Sequence, residues 1–165
     1  MFDRPVLGVD PGVATLGLAV LSGRDVAWFE TLRTASGLEE AARLRQVYEA
    51  VAAALRAHRP AALAIERLMW GKNVGSAMGV ARASGVILLA AADAGVPVAE
   101  YAPLEVKMAT AGVGNAGKDQ VRAALARFHK ISGVPEQPDA ADAVAVAFCH
   151  QTQAGLQSRV AAATQ

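Results

Sequence analysis

The chain has 165 residues, 53% of them apolar and 19% charged, and its formal net charge is +1. This balance excludes a disordered chain and predicts a packed domain. It also excludes a surface that is basic throughout, so any nucleic-acid-binding surface must be local. Every stretch of 18 residues contains a charged side chain, which predicts that no segment crosses a membrane.

The N-terminal residues lack the basic segment and long apolar run of a secretory signal. Cys149 is the only cysteine, so the chain cannot form an internal disulfide. Both features are typical of the reducing cytoplasm, where we expect this chain to work.

Apolar residues recur with the periods of strands and helices along most of the chain, and Pro and Gly separate the periodic segments. The predicted elements, in chain order, are strands over residues 6–9, 16–21 and 26–32, a helix over 38–58, a strand over 61–66, a helix over 73–94, a strand over 96–101, and helices over 103–111, 118–130 and 139–151. The first three strands are expected to form an antiparallel meander, and Pro97 favours an edge position for the fifth strand. We predict one domain over residues 1–152 and a frayed polar tail over 153–165.

Two of the predicted strands deliver a carboxylate at their C-terminal end. Asp10 follows the first strand, and Glu66 ends the fourth. A strand–helix–strand unit crosses over right-handed and returns parallel, so both acids are expected at the sheet edge where open α/β sheets bind ligands. Taken separately, Asp10 also suits a turn before Pro11 and Gly12, and Glu66 could pair with a nearby Arg.

The last predicted helix begins with two more acids, Asp139 and Asp142, which share one face of its first turn. Helix capping is a sufficient explanation for Asp139. Asp142 is followed by a run of Ala and Val, and an acid on an apolar helix needs a partner or a metal. Four converging carboxylates would repel one another without a cation among them, which predicts a Mg²⁺ site.

Four segments resemble, in order and spacing, the RuvC family of Holliday-junction resolvases: GVDPGVATLGLAV, AIERLMWGKN, EYAPLEVKMATAGVGNAGKDQV and PDAADAVAVAFCH. The resemblance extends from about Val6 to His150. It implies an α/β, ribonuclease-H-like fold with a five-stranded mixed sheet and helices on both faces. It also implies a homodimeric, Mg²⁺-dependent crossover junction endodeoxyribonuclease that nicks two opposed strands of a four-way DNA junction symmetrically, in recombination and DNA repair.

The same resemblance assigns roles to individual residues. The catalytic, metal-binding acids of the family correspond to Asp10, Glu66, Asp139 and Asp142, with two Mg²⁺ ions per site and Mn²⁺ as a substitute. The lysines that contact DNA and contribute to catalysis correspond to Lys107 and Lys118. The RuvAB branch-migration complex is the implied partner, and the helix over residues 73–94 is expected to contribute to the dimer interface.

The resemblance is incomplete in the segment after Glu66. Many relatives carry Phe at the position of Met69, where the ring stacks against junction bases. Met packs against a base less well, so Trp70 is a candidate for this role. Lys72, and less specifically Arg67 and Arg82, are candidates for contacts with the DNA backbone.

Three other functions fit parts of the sequence. The segment DPGVATLG resembles the phosphate loop of actin-like sugar kinases and ATPases, but that class needs two such domains. Another ribonuclease-H-like nuclease is a closer alternative. A junction-binding module without activity is the third, but a DNA-binding surface gains nothing from a full set of acids that face phosphates.

Overall fold

The computed structural model describes the backbone of residues 4–68 and 74–163, and the side chains of residues 4–68 and 77–156. Five strands and five helices occur in these ranges. The strands are β1 (Val6–Asp10), β2 (Thr15–Ser22), β3 (Asp25–Arg33), β4 (Ala62–Glu66) and β5 (Val98–Tyr101). The helices are α1 (Glu40–His58), α2 (Val74–Asp93), α3 (Pro103–Ala111), α4 (Lys118–Arg127) and α5 (Pro138–Ala163).

The five strands form one mixed sheet in the order β3-β2-β1-β4-β5. Strands β1, β2 and β3 are the predicted antiparallel meander. Strand β4 lies parallel to β1, and β5 lies parallel to β4 at the edge of the sheet. The predicted parallel return of the fourth strand and the edge position of the fifth are therefore confirmed.

Helices cover both faces of the sheet, and each face has its own core. Leu7, Val9 and Ile65 belong to a buried cluster that contains residues of α1 and α2. Val6 and Ala64, which alternate with them along the strands, belong to a second cluster built from α3, α4 and α5. Because successive side chains of a strand point to opposite faces, this alternation fixes the face of every residue in β1 and β4.

Helix α5 packs unusually close to the sheet, because β1 and β2 present glycines to it. A Cβ atom on Gly8 would lie 2.0 Å from the carbonyl oxygen of Ala143, and one on Gly17 would lie 2.0 Å from the carbonyl oxygen of Asp139. Both distances are too short for any side chain. The two glycines therefore allow backbone-to-backbone packing of the helix on the sheet.

The predicted end of the last helix at Gln151 is wrong. Helical backbone continues to Ala163, because the Ala-rich composition of this segment favours a helix even without an apolar stripe. Helix α4 is shorter than predicted and ends at Arg127, with Phe128 at its C-cap. The predicted helix start at residue 73 lies outside the described residues. In the described part of the chain, no helix is long and apolar enough to span a membrane.

Candidate active site

Asp10 and Glu66 are neighbours at the C-terminal ends of two parallel strands. Val9 of β1 pairs with Ile65 of β4, and each acid follows directly. Asp10 lies two residues after Gly8, which faces α5, and Glu66 lies two residues after Ala64, which is in the α3–α5 core. Both carboxylates therefore point to the face of the sheet that α3, α4 and α5 cover.

A cavity of about 390 Å³ opens at this position. Its polar lining consists of three acids and two lysines, and small or apolar residues complete it. The lining residues are Asp10, Glu66, Pro103, Val106, Lys107, Ala116, Gly117, Lys118, Val121, Asp142 and Ala145. The structure thus brings together five of the predicted site residues, which come from β1, β4, α3, α4 and α5.

The two acids of α5 differ in position. Asp142 lines the cavity, whereas Asp139 is not among its lining residues. Asp139 is half-buried in the first turn of α5, where its backbone lies against Gly17. Its charge nevertheless acts on Asp10. Asp139 therefore belongs to the electrostatic environment of the cavity, but its side chain does not form the wall.

Burial and like charge act together on the acids. The pKa of Asp10 is raised to about 7, first by burial and then by the nearby charges of Asp142, Glu66 and Asp139, against the opposing charge of Lys118. Burial likewise raises the pKa of Glu66, and the charge of Asp142 adds to this effect. Because the charged forms are disfavoured, a cation in the cavity would be stabilising.

Lys118 and Lys107 supply the positive charge of the cavity. Lys118 Nζ donates a hydrogen bond to Asp142 Oδ2, which raises the pKa of Lys118. Lys107 is half-buried in α3, and its charge partly opposes the rise in the pKa of Glu66. Both lysines are therefore oriented toward the acids, although Lys118 follows a Gly-rich loop. The loop is held in place by Ala116, which is 1% exposed and packs in the core.

The donor set fits a hard divalent cation, because it consists of crowded carboxylate oxygens in a partly buried cavity. Asp10, Glu66 and Asp142 are the residues that could hold one, with Asp139 beside them. Without an ion these carboxylates do not stand in ligating positions, and among the described residues no three His, Cys, Asp or Glu side chains already do so.

The other residues predicted to contact DNA do not line the cavity or lie outside the described residues. Arg67 Nη2 lies 3.7 Å from Glu105 Oε2, and Arg82 forms an ion pair with Glu40 between α2 and α1. Among the described residues, Glu66 does not pair with an arginine; the cations that act on its carboxylate are Lys118 and Lys107. Met69, Trp70 and Lys72 lie outside the described residues.

Sequence reasoning missed Gly8 and Gly17 as determinants of the site. Each sits inside a strand between apolar residues, where glycine has no local conformational role. An isolated glycine in a strand indicates close approach of another backbone, so this signal was present in the sequence. Glu105, two residues before Lys107, was also missed. Its carboxylate accepts a hydrogen bond from Ala102 N–H and so caps the N-terminus of α3.

The chain matches known proteins over nearly its whole length. The family model described as crossover junction endodeoxyribonuclease RuvC matches residues 6–150. The crossover junction endodeoxyribonuclease RuvC of Rhodococcus opacus is 44% identical over 163 residues, which cover 96% of this chain and 86% of that protein.

Solved structures agree with this match. The structure of Thermus thermophilus RuvC in complex with a Holliday junction substrate has a TM-score of 0.86 and 31% identity, and the alignment covers 93% of this chain and 96% of that one. The yeast mitochondrial Holliday junction resolvase Ydc2 shares the fold, with a TM-score of 0.62 at 12% identity over 91% of this chain and 79% of that one. The predicted ribonuclease-H-like fold is therefore confirmed, and the chain belongs to the RuvC family of crossover junction endodeoxyribonucleases.

Proposed function

We propose that this chain resolves four-way DNA junctions by hydrolysing phosphodiester bonds, in recombination and DNA repair. The observation that carries the proposal is the cavity that gathers Asp10, Glu66, Asp142, Lys107 and Lys118 at one edge of the sheet. Three acids suit metal-assisted hydrolysis, and two lysines suit a phosphate substrate. Membership of the family, and a relative whose structure holds a Holliday junction, support the same reaction.

Asp10, Glu66, Asp142 and Asp139 are proposed to hold two Mg²⁺ ions, for which Mn²⁺ can substitute. The ions would activate water and stabilise the leaving oxygen of a phosphodiester. The chain's own contribution is to fix the acids. Asp10 and Glu66 are held by paired strands, and Asp142 is held by a helix in backbone contact with the sheet.

Lys107 and Lys118 are proposed to hold the scissile phosphate and to stabilise the charge that develops on it. Lys107 is positioned by the first turns of α3, and Glu105 caps the N-terminus of that helix. Lys118 begins α4, so the free N–H groups of that helix add to a site for an anion. Met69, Trp70 and Lys72 are proposed to contact the DNA beside the cut.

Two symmetric nicks require two active sites, and we propose that a homodimer supplies them on one junction. Exposed apolar side chains on α2, including Met78 and Leu89, make this helix a candidate for the contact. RuvAB is the proposed partner that delivers the junction, and a DNA substrate favours activity in the cytoplasm. Residues 1–152 are the proposed nuclease domain and 153–165 the proposed C-terminal tail, most of which continues helix α5.

The test uses a synthetic four-way junction, a duplex of matched sequence and a matched RNA, each with and without Mg²⁺. We expect paired nicks on opposed strands of the junction only, with 5′-phosphate ends that a DNA ligase reseals. Asp10→Asn serves as the control for contaminating nucleases. Equal cleavage of the duplex, or cleavage that persists in excess chelator, would contradict the proposal.

A further inference from the structure

In this structure the positive charge next to the carboxylate of Asp142 is the ammonium group of Lys118. Lys118 Nζ donates to Asp142 Oδ2, and both residues line the cavity with Asp10 and Glu66. Lys118 is the first residue of α4 and Asp142 lies near the start of α5, 24 residues later. The contact therefore closes a bridge between two helices inside the proposed metal site.

The two partners of this bridge differ in their access to water. The side chain of Lys118 is 67% exposed, whereas that of Asp142 is 24% exposed. The ammonium group can therefore move into solvent at little cost, while the carboxylate stays in the cavity. An ion pair with one well-hydrated partner is weak, so it is easily exchanged for a stronger cation.

Charge explains why the exchange would occur. Among the described residues that line the cavity, three are acids and two are lysines, and of the two lysines Lys118 is the one that forms an ion pair with Asp142. Lys118 supplies one positive charge to this crowded group, and a divalent cation supplies two. A hard divalent cation also takes carboxylate oxygens as ligands, and Mg²⁺ needs only one or two of them beside its waters.

We propose that Lys118 occupies a cation position on Asp142 when metal is absent, and that a divalent cation must displace its ammonium group before Asp142 becomes a ligand. The inference rests on the proposed function, because it takes Asp142 as a metal ligand. Once displaced, Lys118 remains at the N-terminus of α4 beside the cavity, where its charge becomes available to a phosphate. Metal loading would thereby release the lysine for DNA.

The test measures Mg²⁺ affinity by calorimetry without DNA, so that catalysis plays no part. We expect Lys118→Ala to tighten Mg²⁺ binding roughly fivefold, as the loss of a weak competing ion pair predicts. Lys107→Ala is the matched control, since it removes the same charge from the same cavity without touching Asp142, and we expect a smaller change. Lys118→Arg, which keeps the charge, should retain the wild-type affinity.

A second readout is thermal stability. Metal-free Lys118→Ala should unfold at a lower temperature than the wild type, because its acids have lost a neutralising charge. Added Mg²⁺ should then raise the Tm of this variant by more than it raises the Tm of the wild type. Lys118→Gln repeats the comparison with a longer side chain, in case truncation disturbs α4.

The outcomes separate the two proposals. Unchanged or weaker Mg²⁺ binding by Lys118→Ala and Lys118→Gln would overturn the displacement. Equal tightening by Lys107→Ala would also overturn it, because the effect would then be through-space charge alone. A wild-type protein that binds neither Mg²⁺ nor Mn²⁺ would instead remove the metal-dependent function on which the inference rests.

Discussion

Gly17 lies directly against the backbone of Asp139, so close that a Cβ atom would sit 2.0 Å from the Asp139 carbonyl oxygen. This contact seats the first turn of α5 on strand β2. Asp142 lies one turn further along the same helix and lines the cavity. The position of an acid at the site is thus set by the absence of a side chain on a strand.

Gly17→Ala should therefore displace the start of α5 and damage both folding and activity. We expect the free energy of unfolding to fall by roughly 2 kcal/mol or more, since the clash is with backbone and cannot relax by a rotamer change. Gly37→Ala is the matched control, because a Cβ there meets nothing within 4 Å. Urea denaturation of both variants measures the difference, and equal stabilities would contradict the role given to Gly17.

Asp10→Asn should abolish cleavage while junction binding persists or tightens. The substitution keeps the size of the side chain but removes one negative charge from a surface that faces phosphates. Cleavage and gel-shift assays on the same junction measure the two effects. Near-wild-type cleavage by this variant would exclude Asp10 as a metal ligand.

The same variant should change how stability depends on pH in the absence of metal. The pKa of Asp10 is about 7 in the folded chain against an ordinary 3.8, so the folded state binds the proton more tightly. Stability from this group is thus full below pH 3.8 and is lost as pH rises through 7. Asp10→Asn should avoid this loss and be more stable than the wild type at pH 8, by on the order of 2–4 kcal/mol.

Chemical denaturation at pH 4 and pH 8, with chelator present, checks this expectation. The advantage of Asp10→Asn should be largest at pH 8 and should shrink when Mg²⁺ is added, because the ion stabilises only the wild-type carboxylate. An advantage that is the same at both pH values would show that Asp10 is not held protonated by its surroundings.

Leu89→Asp on α2 should yield monomers. Leu89 is 54% exposed, so a charge there disturbs an interface more than the fold. Leu156→Asp on α5 is the control, since Leu156 is similarly exposed at 63% but lies on another helix. Sedimentation measures the assembly of both variants. A wild type that remains monomeric with a junction bound would refute the proposed dimer.

Lys107→Ala and Lys118→Ala should lower single-turnover cleavage even at saturating protein, by roughly 100-fold if either lysine acts like an oxyanion donor. Arg127→Ala is a control for charge loss, because this residue ends α4 away from the cavity. Rates are measured on a junction at saturation. Full rates for both lysine variants would restrict the two lysines to DNA binding.

The sequence predicted the part of the site that lies on strands better than the part on helices. The handedness of the strand–helix–strand unit placed Asp10 beside Glu66, and the pairing of Val9 with Ile65 confirms it. In contrast, the spacing of Asp139 and Asp142 shows only that they share a face. Which of them lines the cavity depends on how α5 is rotated on the sheet, and the close backbone contact at Gly17 restricts that rotation.

The position of Lys118 shows the same limit. A Gly-rich loop predicts conformational freedom, so the sequence alone left open whether Lys118 reaches the site. The structure fixes the loop through Ala116, which is buried in the core, and through the hydrogen bond from Gly117 N–H to Gln120 Oε1. An alanine anchor of this kind has no sequence signature, because its burial depends on contacts distant in the chain.

Because the two cores lie on opposite faces of the sheet, one of them can be redesigned separately from the face that carries the acids. Asp10 and Glu66 point away from the face where Leu7, Val9 and Ile65 pack with α1 and α2. Redesign of that α1–α2 layer could therefore alter thermal tolerance or assembly while the sheet shields the acids from the change. The opposite layer tolerates less change, since a methyl group added at Gly8 or Gly17 would displace the helix that carries Asp142.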